Sequence, residues 1–318
     1  MNDRLSSMQQ TFSFGRLFDI RVGVHVSWFV VYAFATLSIA GSISGVPRPL
    51  ALGLAALCAL LLFVSVIAHE FAHALVARLY GVRTRAITLF LFGGVAMLEC
   101  EPPSPGAEVM IALAGPAMSA AIGACAFGML MLFERWDGGA FGDALGLVVA
   151  YLALANGVLA AFNLIPAFPM DGGRVLRAAV WQARKSRAAA TGAAAIVGLV
   201  LAVVLVVGGL ASMAVGHAWQ HVWYVLIGAF LLRQGWSQLL DARFTERLER
   251  VRVSDVMDAA GADDRVDDGF SLASSATALD AVTAFRSSDR KQIAVVDGGR
   301  LAGWLDRERT LHIFDRAA

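Results

Sequence analysis

An apolar run without charged side chains covers residues 50–68 and passes directly into an H-E-x-x-H motif at residues 69–73. Crossing the roughly 30 Å hydrocarbon core of a bilayer takes about 20 apolar residues in a helix, so this run is long enough to span. An ionisable side chain inside a membrane segment costs about 3 kcal/mol, so three of them within five positions require a compensating role. The sequence therefore predicts a membrane helix that carries functional polar groups.

The H-E-x-x-H motif has a direct chemical interpretation. Positions i and i+4 of an α-helix share a face, so the imidazoles of His69 and His73 can bind one Zn²⁺, and Glu70 can act as a general base. A catalytic zinc is held by three protein ligands and keeps one position open, where bound water has a pKa of about 7. A chance match is the alternative, but the membrane setting favours a metal, and one ligand lies outside the motif.

The composition sets the class of protein. Hydrophobic residues make up 58% of the 318 positions and charged residues only 16%, which indicates a polytopic membrane protein. The net charge of +1 gives no indication of nucleic-acid binding. Cys58, Cys100 and Cys125 form no paired framework, so neither a disulfide nor a thiolate metal site is predicted. The polar start of the chain, followed by a run of spanning length, predicts no cleaved signal peptide.

The apolar stretches predict an α-helical protein with about six transmembrane helices. Arginine and lysine concentrate before the first span, after the second and after the fourth. By the positive-inside rule, the protein is a multi-pass protein of the cell membrane with both termini cytoplasmic, and His69 lies near the cytoplasmic side. The predicted spans are residues 22–43, 50–77, 108–133, 142–165, 190–215 and 218–236.

The end of the fourth span offers a third ligand. Two prolines break the helix and paired glycines permit a tight turn, so Asp171 can point back toward the bilayer interior. An ordinary surface turn is the alternative for an Asp-Gly pair that follows proline. Asn163 also has two interpretations, an interhelical hydrogen bond or a group that polarises a scissile carbonyl.

Two motifs together carry a family resemblance. H-E-x-x-H in the second span and N-x-x-P-x-x-P-x-D-G at residues 163–172 resemble the site-2 protease family of intramembrane zinc metalloproteases, over about residues 10–240. This resemblance implies hydrolysis of a peptide bond in or near a transmembrane helix of another membrane protein. It further implies one Zn²⁺ per chain held by His69, His73 and Asp171, Glu70 as the catalytic base and a substrate or oxyanion role for Asn163.

Two further segments resemble parts of that family. The apolar, glycine-bearing segment at residues 89–96 resembles a re-entrant element that offers a β-edge to an unwound substrate by strand addition. A plain loop hairpin is the alternative. The A-G-P element at residues 114–116 predicts close helix packing and a local kink. The substrate-binding residues implied by the first segment are Phe92, Gly93, Gly94 and Val95.

The histidines outside the motif have simpler interpretations. His25, near the start of the first span, is expected to pack or to reach the membrane interface, because three protein ligands already suffice for a catalytic zinc. His217 and His221 are four residues apart but lack an acidic partner. They are expected to be interfacial residues of a hairpin between the fifth and sixth spans, not a second metal site.

The composition changes at about Val251, where acidic side chains become frequent. A transmembrane domain at residues 1–245 and a small cytoplasmic α/β domain at residues 251–318 are predicted. The second contains a predicted helix at residues 271–285 and two strands at residues 292–297 and 300–305, joined by a two-glycine turn.

The order of elements in the C-terminal segment resembles a single cystathionine-β-synthase-type (CBS) repeat. Such repeats usually pair to bind adenine nucleotides, so a lone repeat implies pairing with a second chain in a homodimer. Asp306 and Arg309 replace the polar positions of the ribose-binding pattern that begins at Gly303. A carboxylate there would repel phosphate, which argues against nucleotide binding.

The function predicted from these features is intramembrane zinc endopeptidase, with a transmembrane protein as substrate. A zinc transporter that uses the same ligands is one alternative, and it would require further ligand clusters along a pathway. A proteolytically inert scaffold is another, and it would be expected to lose the glutamate or a ligand. Neither loss is present in this sequence.

Overall fold

The structure is a computed structural model that describes residues 11–90, 93–133, 139–216, 221–259, 271–288, 290–308 and 310. It is mostly helical and divides into two compact units, Met1–Ala183 and Arg184–Ala318. Each unit folds around its own set of elements.

The first unit combines a small sheet with a bundle of apolar helices. It contains the polar residues predicted to form the metal site. Its elements are β1 (Thr11–Leu17), β2 (Ile20–His25), α1 (Ser27–Ser42), α2 (Arg48–Leu79), β3 (Thr84–Phe90), β4 (Gly93–Leu98), α3 (Pro105–Phe133), α4 (Gly139–Asn163) and α5 (Asp171–Arg184).

The second unit begins with two long helices and ends in a small α/β fold. Its elements are α6 (Arg187–Ala214), α7 (Val222–Arg250), a single 3₁₀ turn (Val253–Asp255), β5 (Asp258–Ala259), β6 (Ser271–Ala273), α8 (Ala278–Ser287), β7 (Gln292–Asp297) and β8 (Arg300–Asp306).

Four helices within the described residues are long and apolar enough to cross a membrane: α2, α3, α4 and α6. Large apolar side chains on their surfaces are exposed, among them Phe127, Leu154 and Val204. Exposed apolar surface on this scale is unfavourable in water and matches a hydrocarbon environment. The structure therefore supports a membrane protein, and four of the six predicted spans coincide with helices that are long and apolar enough to cross a bilayer.

The two remaining predicted spans differ from the structure. The first was expected at residues 22–43, but Ile20 and Val24 alternate inward from β2 and are buried, so the chain is a strand there and α1 begins only at Ser27. The last was expected at residues 218–236. Helix α7 instead continues to Arg250 as one long helix with a charged C-terminal half.

Among the described residues, β4 is an edge strand of the sheet in the first unit and lies beside α2. The sheet order is β1-β2-β3-β4, with β2 and β3 parallel and the outer pairs antiparallel. Ile87 packs with Phe71 and Ala74 of α2, so one face of the sheet covers the helix that carries H-E-x-x-H. Residues 93–98 form a strand, and the pairing of Gly94 with Leu89 makes it one half of a β3–β4 hairpin, so its use as a substrate-binding edge stays a prediction.

The C-terminal fold is a four-stranded sheet of order β5-β8-β7-β6 with α8 packed on it. The strand predicted at residues 292–297 is confirmed, and the glycine turn has positive φ at Gly298 and Gly299. The prediction of a helix at residues 271–285 was wrong about where the helix starts. Residues 271–273 pair with β7, and a capping box between Thr277 and Asp280 starts the helix at residue 278.

Candidate metal centre

The two histidines of the motif share one buried face of α2. His69 and His73 are 4% and 6% exposed, and their Nε2 atoms lie 3.1 Å apart. Their rings are nearly perpendicular, with an interplanar angle of 81°. Spacing of four residues on a helix accounts for the shared direction, as the motif predicts.

Asp171 completes a triangle of ligand atoms. It is the first residue of α5 and 8% exposed, and its Oδ2 lies 3.2 Å from His69 Nε2 and 3.1 Å from His73 Nε2. In a tetrahedral zinc site with bonds of about 2.0–2.1 Å, ligand atoms are about 3.3–3.4 Å apart. The observed triangle is close to that size, so the three side chains fit one metal ion and leave a fourth position for another ligand.

Hydrogen bonds on the far side of the imidazoles orient them for metal binding. Nδ1–H of His73 donates to the carbonyl oxygen of Ile111 at 2.6 Å, so the lone pair of its neutral ring is on Nε2, which faces the triangle. Nδ1 of His69 lies 2.9 Å from the hydroxyl of Ser119, a buried residue. Both partners come from α3, so this helix sets the orientation of both rings.

Gly115 of α3 lies directly against the imidazoles. A Cβ built at this position would be 2.5 Å from His69 Nε2 and closer still to His73 Nε2. Only glycine therefore allows α3 to approach both rings. The A-G-P element was expected to pack closely, and the structure shows that its contact is with the ligands themselves.

Paired glycines after Asp171 allow α5 to begin close to the preceding loop. A Cβ at Gly172 would be 2.5 Å from the carbonyl carbon of Leu164, and one at Gly173 would be 2.5 Å from that of Ala167. Their role is close approach of backbone and not a left-handed turn, because neither has a positive φ. The surface-turn alternative for Asp171 is wrong, since its carboxylate is buried among the imidazoles.

Glu70 lies against β4 at Gly94. A Cβ at Gly94 of β4 would lie 2.8 Å from Glu70 Cδ, so the strand backbone passes directly beside the carboxylate. On its other side β4 pairs with β3, and within the described residues no strand pairs with its outer edge. Gly93 and Val95 lie on the same strand, whereas Phe92 is outside the described residues.

Asn163 and His25 are held by local partners. The Asn163 amide Nδ2 donates to the carbonyl of Leu159, one turn earlier in α4, at 3.0 Å. His25 Nδ1 is 2.8 Å from the Ser27 hydroxyl, and its ring packs on Phe90. The single group of clustered metal-ligating side chains found within the described residues is His69, His73 and Asp171. His217 lies outside the described residues.

Comparison with known proteins identifies the family. The sequence model of peptidase family M50 matches residues 57–138 and 128–207. Rip3, a proposed zinc metalloprotease of Mycobacterium tuberculosis, is 37% identical over 258 residues, which cover 79% of this chain and 64% of Rip3. A proposed zinc metalloprotease of Synechocystis is 35% identical over 256 residues, which cover 79% and 65% of the two chains.

A solved structure agrees with the sequence comparisons. The site-2 protease from Methanocaldococcus jannaschii matches with a TM-score of 0.53 and 30% identity, covering 72% of this chain and 95% of that one. This chain belongs to the site-2 protease family, peptidase family M50. It spans just under two thirds of the length of the curated relatives named above.

Several residues around the candidate metal ligands of this site-2 protease family member were not assigned to the site from the sequence. Besides Gly115 and Ser119, a buried Asn156 of α4 donates from Nδ2 to the Ser65 hydroxyl at 3.1 Å, one turn before His69. Glu108 of α3 is fully buried and pairs with Arg177 of α5. The signal that could have found them is their polarity at positions within or next to apolar runs.

Proposed function

We propose that this chain is an intramembrane zinc endopeptidase that hydrolyses peptide bonds in or near transmembrane segments of other membrane proteins. The observation that carries the proposal is the buried triangle of His69, His73 and Asp171 with Glu70 beside it. Two imidazoles and one carboxylate are a ligand set of catalytic zinc sites in which a fourth position stays open. The names of the similar proteins from Mycobacterium, Synechocystis and Methanocaldococcus support the same metal and reaction class.

Zinc held by these three residues would supply a Lewis acid and an activated water for attack on a carbonyl group. Glu70 accepts a proton from the attacking water as its oxygen bonds to the carbonyl carbon. It then delivers that proton to the amide nitrogen, so the C–N bond breaks with a neutral amine as leaving group. The Asn163 amide is proposed to hydrogen-bond to substrate after releasing its bond to Leu159.

The free edge of β4 is proposed to bind the substrate as an added strand. A helical substrate hides its peptide bonds, whereas an extended segment paired with β4 exposes them. Because Gly94 touches Glu70, a strand added along residues 93–95 would run close to the general base. Contact between Phe92 of this chain and the substrate stays a prediction.

The remaining predictions on orientation and assembly extend this proposal. Both termini are proposed to lie on the cytoplasmic side, from the distribution of arginine and lysine. The strand and helix order of residues 253–306 supports a single CBS-type repeat that pairs with a second copy in a homodimer. Nucleotide binding is not proposed, because Asp306 replaces a polar position of the ribose-binding pattern.

A zinc transporter is less consistent with the site. Transport would require successive ligand clusters, and the part of the chain that the structure describes has one. All three ligands and the glutamate are also present, which an inert scaffold would not need to retain.

The decisive experiment compares the wild-type chain with Glu70→Gln in lipid nanodiscs that contain a single-span reporter protein. We expect cleavage to fall by roughly 10²–10⁴-fold, the contribution of a general base, while one zinc per chain remains bound. The matched control is Asp143→Asn, an acid-to-amide change at an exposed position of α4, which should leave cleavage unchanged. Undiminished cleavage by Glu70→Gln, or a wild-type chain without zinc, would refute the proposal.

A further inference from the structure

A buried ion pair connects the two helices on either side of the metal ligands. Glu108, in the first turn of α3, is fully buried. Its Oε1 accepts a hydrogen bond from Arg177 Nε at 2.7 Å and also contacts Arg177 Nη2. A buried carboxylate is strongly unfavourable without a partner, so this contact strongly restrains the position of α5 against α3.

Both members of the pair lie close in sequence to groups that form the metal centre. Glu108 precedes Ile111 by three residues, and the Ile111 carbonyl orients His73. Arg177 follows Asp171 by six residues on the same helix, a rise of about 9 Å. The ion pair therefore joins the helix that orients the imidazoles to the helix that begins with the third ligand.

Close backbone packing at Gly172 and Gly173 restrains the start of α5, and a contact farther along the helix restrains its direction. Asp171 follows a loop with two prolines and stands at the first position of α5, where helix propensity alone does not determine its direction. Its Oδ2 faces the imidazoles, and its Oδ1 lies 3.7 Å from Arg174 Nη1 on the same helix. The Arg177 guanidinium also lies 6.0 Å from the Phe168 ring, in the loop that leads to Asp171. Arg177 thus lies on the helix that follows the ligand, and its guanidinium lies near the loop that precedes the ligand.

We propose that Glu108 and Arg177 are positioning residues that hold Asp171 in place for metal binding. The inference rests on the proposed metal site and assigns neither residue a contact with substrate. If the pair holds α5, its loss lets the Asp171 carboxylate move away from the histidines. Metal affinity then falls even though all three ligands are still present.

The test measures zinc affinity of the full chain in nanodiscs by competition with a chelator. The variant is the double change Glu108→Gln and Arg177→Met, which removes both charges and leaves no unpaired charge buried. We expect the Kd for zinc to rise by about 10–100-fold, the usual effect of losing a group that orients metal ligands. Arg184→Gln, an exposed change at the end of the same helix, is the control and should leave the Kd unchanged.

A second readout separates positioning from general loss of structure. With Co²⁺ in place of zinc, the visible absorption of the double variant should shift toward that of Asp171→Ala. Added to Asp171→Ala, the same double change should cause no further increase in Kd, because the ligand it positions is already gone. If the double variant does not fold, Arg177→Lys keeps the charge with one donor atom in place of two and should raise the Kd by about 10-fold.

The outcomes distinguish this inference from the function on which it rests. A wild-type chain that binds no zinc would refute the proposed function. Zinc bound by wild type with an unchanged Kd in the double variant would overturn the positioning role alone. An equal loss of affinity with and without Asp171 would also overturn it, because the pair would then act on some other part of the site.

Discussion

Both compact units of the molecule bury apolar side chains, and the first also buries a cluster of polar ones. In the first, apolar helices enclose polar groups, with His69, His73 and Asp171 each no more than 8% exposed. In the second, the C-terminal sheet and α8 enclose an apolar core that includes Phe285 and Leu305. Burial of apolar groups stabilises a fold, whereas burial of polar groups is costly unless partners compensate for it. The difference between the units is that the candidate metal centre lies where burial opposes stability.

Of the changes considered, Gly115→Ala should have the largest effect on the buried polar cluster of the first unit. The new methyl group would lie 2.5 Å from His69 Nε2, so the rings must move apart, and we expect zinc affinity to fall by about 100-fold or more. The helix itself should tolerate alanine, which has the higher helix propensity. Zinc content and the Kd for zinc would be measured in the purified chain.

Gly128→Ala in the same helix is the matched control, because a Cβ there meets no atom within 4 Å. Equal zinc affinity in the two alanine variants would contradict the contact that the structure shows between α3 and the ligands.

Gly94→Ala should separate catalysis from metal binding. Its methyl group would lie 2.8 Å from Glu70 Cδ and displace the carboxylate, while the ligand triangle stays intact. We expect kcat for reporter cleavage to fall by about 10–100-fold with zinc still bound, as expected from misplacement of a general base. Gly146→Ala, with open space around its Cβ, is the control. Loss of zinc along with activity would show that β4 supports the ligands and not the base.

Ser119→Ala should have a smaller effect on the metal centre. The change removes the hydroxyl next to His69 Nδ1 but leaves the ring enclosed by α3. We expect zinc to bind about 10-fold more weakly, at the lower end of the effects of outer hydrogen-bond partners. The chelator competition used for the other variants measures it. If Ser119→Ala also weakens zinc binding tenfold when it is added to His69→Ala, the hydroxyl acts on some group other than His69.

Phe285→Ala should leave the metal centre unchanged and affect the second unit alone. The fully buried ring fills the C-terminal core, and its removal should cost about 3–5 kcal/mol of the free energy of unfolding of that unit. Hydrogen exchange of the backbone amides of β7 and β8 would measure this change, and zinc content would be determined in the same sample. Loss of zinc in the same variant would show that the metal centre depends on the C-terminal core.

Local sequence patterns were sufficient for the elements with a regular period. The long apolar runs predicted α2, α3, α4 and α6 because length and hydropathy alone decide whether a helix suits a bilayer. The start of the chain was more difficult. Residues 20–25 belong to β2, since pairing with β3 decided between a strand and an extension of the apolar helix that follows.

The candidate site divides in the same way. The two histidines and Glu70 were evident because their spacing is a property of one helix. The partners of Gly115, Ser119 and Glu108 could not be predicted, because each contacts a residue far away in the sequence. Asn163 was assigned to the reaction from its motif, and the structure shows its amide bonded to Leu159.

The sequence by itself determined a membrane protein with two histidines and a glutamate grouped on one apolar helix, because hydropathy and helical periodicity are local properties. The tertiary structure alone decided that Asp171 meets that pair, that α3 orients both imidazoles, and that a buried Glu108–Arg177 ion pair connects α3 with α5. These contacts join residues dozens of positions apart. Their partners are selected by the packing of helices in three dimensions, which no pattern within a single segment specifies.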